Sequence, residues 1–148
     1  MKAQREIIES IGFRIEKMGF SPMSARVLAY LLLVPNDEAT FEELVNYFNA
    51  SKSAVSNALK FLIIKAIVIE KRKSENRKRY FSADFGHFLS LDKILEHHKH
   101  TKGVFEDVLK ERQVKTKTDE DLKIIINFFS VIERTLPAIH KKYFDKKQ

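Results

Sequence analysis

Apolar residues along this chain recur mostly at helical spacing. From Lys2 to Met18 they fall at Ile7, Ile8, Ile11, Ile15 and Met18, one stripe of a helix, and Gly19 supplies a stop. Ser21 and Pro22 form an N-cap and first-turn pair, after which Val27, Leu28, Leu31 and Leu32 share a face until Pro35-Asn36-Asp37 breaks the pattern. Thr40 and Glu43 have capping-box spacing and open a short helix with Leu44, Val45 and Phe48 inward. Asn49-Ala50 then lead into Ser51, a good N-cap, and a helix running to Ile64. In that helix Val55, Ala58, Leu59 and Leu62 line one face, while Lys52, Ser53, Ser56, Asn57 and Lys60 line the other. A short helix, a tight turn and a two-faced helix in this order predict a helix-turn-helix with the second helix in the recognition position.

After Ala66 the period becomes extended. Ile67, Val68 and Ile69 form a β-branched run, and Tyr80-Phe81 form a second strand beyond a polar turn, predicting a two-stranded ribbon. Asp84 is placed to cap a long helix with Phe88, Leu91, Leu95, Phe105, Val108 and Leu109 as apolar positions. Thr118 and Asp121 are placed to start the last helix, where Leu122, Ile125, Phe129, Ile132, Leu136, Ile139 and Tyr143 alternate steps of three and four, a heptad seam. Ile124, Ile126, Phe128 and Val131 widen that seam beyond what packing on one small domain requires, and Pro137 marks a kink or break. A second copy of the chain is the most economical partner for this face; packing on the preceding helix within a monomer is the alternative. The fold class expected is therefore mostly α with a small β-hairpin wing.

Charge sharpens the picture at two places. The outward stripe of the two-faced helix carries no carboxylate, so it can approach an anionic, hydrogen-bonding surface such as the DNA major groove. Taken alone, an amphipathic helix showing its polar side to water reads the same. The ribbon then adds Lys71, Arg72, Lys73, Arg77, Lys78 and Arg79 around Ser74, Glu75 and Asn76. One or two lysines would suffice to blunt a sheet edge, whereas this density favours nucleic-acid contact. The whole chain has a net charge of +7, which points the same way.

Composition excludes several chemistries. There is no cysteine, hence no disulfide, thiolate metal site or cysteine nucleophile. The cluster of Glu96, His97, His98 and His100 offers at most two ligands on one helix face, and His87 and His140 are distant in sequence, so it reads as a solvated polar segment with no metal. No phosphate loop, nucleophile elbow or carboxylate pair supports catalysis, and no cofactor is implied, so the chain is expected not to be an enzyme. With no apolar run near the roughly 18 residues of a membrane span, a cytoplasmic location is expected.

Several stretches together resemble the MarR superfamily of winged-helix transcription regulators, with the GbsR-like branch most similar. They are Ala25-Arg26-Val27-Leu28 before a leucine run, Phe41-Glu42-Glu43-Leu44, the segment from Ser51 to Ser56, and Arg77 to Tyr80 leaving the wing. The resemblance implies a homodimeric repressor or activator modulated by a small effector. Recognition helices would enter successive major grooves and wings the flanking minor grooves. It assigns a DNA-binding lobe to residues 20–83 and a helical dimerisation region to 1–19 plus 84–148. Ser51, Lys52, Ser53, Ser56 and Asn57 match the family's groove-facing helix and Arg77 lies where a wing arginine commonly sits, while Lys60 and the other wing cations join the expected DNA contacts by their charge. Dimer contact falls to Ile7, Ile11, Ile15, Leu122, Ile125, Phe129, Ile132, Leu136 and Ile139. GbsR-like relatives include sensors of quaternary ammonium compounds, which aromatic rings hold by cation–π attraction; the 12 Phe and 4 Tyr here serve equally as core. The sequence departs from the family where Glu75 and Asn76 replace the Asp that often precedes the wing arginine. It departs again where Ala66 replaces a glycine at the recognition helix's end, so the helix is expected to end by another geometry. A winged-helix protein-interaction module, or a nonspecific DNA-binding protein, is the alternative function.

Overall fold

The computed structural model describes the backbone of residues 2–73 and 78–144, and their side chains except at 2, 3, 87 and 88. It divides into two compact units, Met1–Phe85 and Gly86–Gln148.

In the first unit, α1 (Lys2–Glu16) packs on α2 (Pro22–Leu33), followed by the two-residue strand β1 (Ala39–Thr40), α3 (Phe41–Phe48), α4 (Lys52–Ile64), β2 (Val68–Arg72) and β3 (Arg79–Ala83). Local chemistry sets the helix starts as the sequence predicts. The Ser21 hydroxyl accepts from the Ser24 amide at 3.3 Å, and Pro22 occupies the first turn. Thr40 and Glu43 complete a reciprocal capping box, and the Ser51 hydroxyl accepts from the Ala54 amide at 3.1 Å. The core gathers Ile8, Val27, Leu31, Leu44, Val55, Leu62, Val68 and Phe81. The sheet order is β1-β3-β2, all antiparallel, so the predicted two-stranded ribbon gains a third, very short strand. Helices α1 and α2 beside the helix-turn-helix of α3 and α4, closed by this sheet, make a winged helix-turn-helix.

The end of α4 corrects the expectation at Ala66. Its φ is +54°, so alanine does take the left-handed conformation that glycine favours. The Ala66 amide donates to the Ile63 carbonyl at 2.9 Å and the Ile67 amide to the Leu62 carbonyl at 3.0 Å. These are the two bonds of a Schellman cap, and Leu62 and Ile67 both lie in the core as its hydrophobic contact.

Helix α1 belongs to the first unit. Ile8 and Ile15 enter the core, Ile11 packs against it, and Arg26 of α2 pairs with Glu9 at 2.6 Å and with Glu16. Gly12 permits this approach, since a Cβ there would stand 3.0 Å from the Arg26 Cγ.

The second unit holds α5 (Gly86–Leu89), α6 (Leu91–Glu111) and α7 (Lys117–Phe144). Two predicted starts move. The helix expected from Asp84 is broken: Asp84 donates its amide to the Ile67 carbonyl at the sheet's end, and Ser90 caps α6. The last helix starts at Thr116 and Asp119, two residues before the predicted pair. Asp119 accepts from the Thr116 amide at 2.8 Å and from Arg112 at 3.2 Å, which ties the turn to the end of α6. Those bonds, the backbone donor first, hold the Asp119 carboxyl below its usual range. Helices α6 and α7 run antiparallel, joined by Lys102–Glu133 at 2.8 Å, and His140 of α7 reaches the Leu89 carbonyl of α5 at 2.7 Å. Helix α7 continues through Pro137.

Candidate nucleic-acid interface

Helix α4 divides as its sequence demands. Val55, Ala58, Leu59 and Leu62 are its buried residues, and Ser51, Lys52, Ser53, Asn57 and Lys60 are exposed, with Ser56 half-buried. The Ser51 hydroxyl is engaged as the cap, and Lys52, Ser53, Asn57 and Lys60 carry the exposed ridge. No carboxylate interrupts this ridge. Asn57 borders a cleft of about 380 Å³ with Ser21, Met23, Ser24 and Phe61. Ser56 and Lys60 border a smaller cavity, about 40 Å³, on the side of the wing, together with Phe41, Glu70, Arg79 and Phe81.

The wing cations differ in what surrounds them. Lys73 pairs with Glu38 beside β1, and its ammonium stands 4.2 Å from the Tyr80 ring centroid. Arg79 lies against two rings, 5.2 Å from the centroid of Phe41 and 5.7 Å from that of Phe81, which ties β3 to the start of α3. Register places Arg72 directly opposite Arg79, and Lys71 opposite Tyr80. Lys71 and Arg72 are exposed. Lys78 contributes to keeping the Glu43 carboxyl low, after the Thr40 amide and hydroxyl that bond it directly at 2.6 and 2.9 Å. Arg77 and the turn at Ser74, Glu75 and Asn76 lie outside the described residues.

Sequence reading missed Glu70. It is a carboxylate beside the basic wing and points, with Val68 and Phe81, toward the α4 side of the sheet. Only register reveals it, because Glu70 sits on the same strand face as Arg72 and opposite Phe81.

The residues expected to make a dimer fall into two groups. Ile15 and Leu122 are buried within the chain, Ile11 is partly buried, and Phe129 packs its ring on His98 and Phe105 of α6 at 5.4 and 6.2 Å. Ile132 and Leu136 are half-buried. Ile7, Ile125 and Ile139 are exposed, and so are Ile124 and Phe128, at 68% and 61%, with Val131. The burial of Ile15 and Leu122 has a simple cause: each faces the neighbouring helix of its own unit.

Among the described residues no three His, Asp or Glu side chains are grouped as metal ligands, and no helix is long and apolar enough to cross a membrane.

Comparison with known proteins adds the fold class. A solved transcriptional regulator superimposes on the chain with a TM-score of 0.80 at 17% identity, over 95% of this chain and 97% of that one. This chain has that regulator's fold. Two further structures match less well. Transcriptional regulator Tm0710 from Thermotoga maritima has a TM-score of 0.46 at 16% identity, over 88% of this chain and 89% of that one. A MarR transcriptional regulator from Methanosarcina mazei has 0.44 at 18%, over 87% and 86%. No family model and no curated protein sequence matches the chain.

Proposed function

We propose that the protein is a transcription regulator that binds double-stranded DNA in a sequence-specific manner, acts in the cytoplasm as a homodimer, and belongs with the MarR-type winged helices, GbsR-like branch. The observation that carries this reading is the carboxylate-free ridge of α4, exposed on a winged-helix scaffold. Lys52, Ser53, Ser56 and Asn57 read base edges, while Lys60 and the wing cations neutralise phosphates. A protein-interaction module would not require a ridge free of negative charge; DNA does.

The second unit supports the dimer. Among its described residues only Leu122 and Asp119 are buried, while Ile124, Phe128 and Val131 line an exposed apolar face of α7. A helical hairpin with so little interior needs covering, and a second copy supplies a matching face. A two-fold dimer then predicts a pseudo-palindromic site with half-sites about 34–36 Å apart, or a multiple. A small effector, such as a quaternary ammonium compound, would modulate binding.

Selection of randomised duplex DNA by the purified protein at near-physiological salt tests the reading. An enriched inverted repeat supports a sequence-reading dimer; weak, salt-sensitive binding to every sequence refutes it in favour of a nonspecific DNA coat. The double variant Lys52→Glu with Asn57→Ala is expected to lose the selected site while keeping the wild-type oligomeric state. Undiminished binding by that variant would remove α4 from the interface.

A further inference from the structure

Arg72 and Arg79 stand opposite each other on neighbouring strands, an arrangement that repels unless an anion lies between them. Glu70 is that anion. One of its oxygens is 3.9 Å from the Arg72 Nε and the other 3.9 Å from an Arg79 terminal nitrogen. Both distances exceed hydrogen-bond length, so the carboxylate neutralises the pair without locking it. Arg79 is meanwhile held in place by the Phe41 and Phe81 rings, and it shares the small cavity with Ser56 and Lys60 of α4. The result is a preformed, cation-lined position next to the groove-facing helix, already occupied by a weakly held negative charge.

We propose that Glu70 is an internal counter-ion standing where a DNA phosphate docks between Arg72 and Arg79, so that it lowers affinity for every duplex. The inference rests on the DNA-binding reading above. A phosphate makes short, charge-assisted bonds to both guanidinium groups, which Glu70 does not, and so displaces it. Because a phosphate carries no sequence information, the effect is uniform: Glu70 sets the strength of binding and leaves the choice of site to α4.

The test compares Glu70→Gln with Glu6→Gln, an equal charge change at an exposed position on α1, on the selected duplex and on a random one. E70Q is expected to tighten binding to both by the same factor, about two- to five-fold, the range a single surface charge contact spans. It should also steepen the slope of log K against log salt by up to about 0.9, because the site then carries one more unit of net positive charge against the duplex. E6Q should leave both within about 1.5-fold of wild type. In an Arg72→Ala background, where the altered side chain is 78% exposed and its loss spares the fold, the gain from E70Q should shrink. A changed ratio between the two duplexes would overturn the proposal, because it would make Glu70 a structural prop of α4. So would an E70Q no different from E6Q, or a gain undiminished by R72A. Wild-type protein that binds neither duplex would overturn the DNA reading itself, and this inference with it.

Discussion

Replacing Ala66 by glycine should stabilise the protein. Ala66 closes α4 at φ +54°, where its Cβ crowds the following carbonyl. For a residue with a side chain that conformation costs about 1–2 kcal/mol. Glycine removes the cost but brings a looser unfolded chain, worth about 0.4–1 kcal/mol in the other direction. The two Schellman bonds from Ala66 and Ile67 are backbone bonds that glycine keeps. The net gain is about 0.5–1 kcal/mol, or a melting point raised by roughly 1–4 °C in a chain of this size. Urea denaturation followed by circular dichroism measures it: the midpoint should rise at unchanged slope, which separates stability from a change in the unfolded state. Ala66→Val, with a β-branched side chain in the same backbone, should lower the midpoint by at least as much as glycine raises it, about 1 kcal/mol or more. A glycine variant no more stable than wild type, alongside a tolerated valine, would refute the left-handed cap.

Other perturbations probe the remaining joints. Arg26→Ala frees Glu9 and Glu16 to repel each other and unclamps α1 from α2, with a cost of about 1–2 kcal/mol in thermal unfolding, between the ranges for exposed and buried pairs. Glu43 has its folded pKa lowered, chiefly by the Thr40 amide, so its contribution is fully present above the ordinary carboxylate pKa of about 4.3 and fades as pH falls through the folded value. Glu43→Gln should therefore be less stable than wild type at neutral pH, and the gap should close on acidification; a gap constant with pH would mean that the charge of Glu43 is not what stabilises the cap. Phe128→Asp on the exposed face of α7 should convert the proposed dimer to monomer in sedimentation; an unchanged sedimentation coefficient would move the dimer face elsewhere.

What the sequence made legible is local. The inward stripe of α4 coincides with its buried residues because a helix fixes which side chains share a face, whatever packs on them. Ser21, Thr40 with Glu43, and Ser51 were legible as caps because each satisfies an amide two or three residues away. The interface candidates on α4 follow from the same logic, since an outward face is the complement of an inward one.

What stayed hidden is decided by partners far along the chain. Strand β1 is two residues whose existence depends on pairing with Tyr80 and Phe81. The start of α7 offers the same Thr-x-x-Asp spacing twice, at Thr116 with Asp119 and at Thr118 with Asp121, and local rules cannot choose between them. Arg112 chooses, because its guanidinium reaches Asp119 and draws that carboxylate into the turn. Glu70 belongs to the same class. In sequence it is one acid ahead of a basic run, and a strand's alternation says only that it shares a face with Arg72. The register with β3 adds Arg79 to that face and turns an isolated acid into the counter-charge of an arginine pair. The chemistry of the wing is thus a property of two strands in one register, and a one-residue slip would move Glu70 and Arg72 to the opposite face and dissolve it.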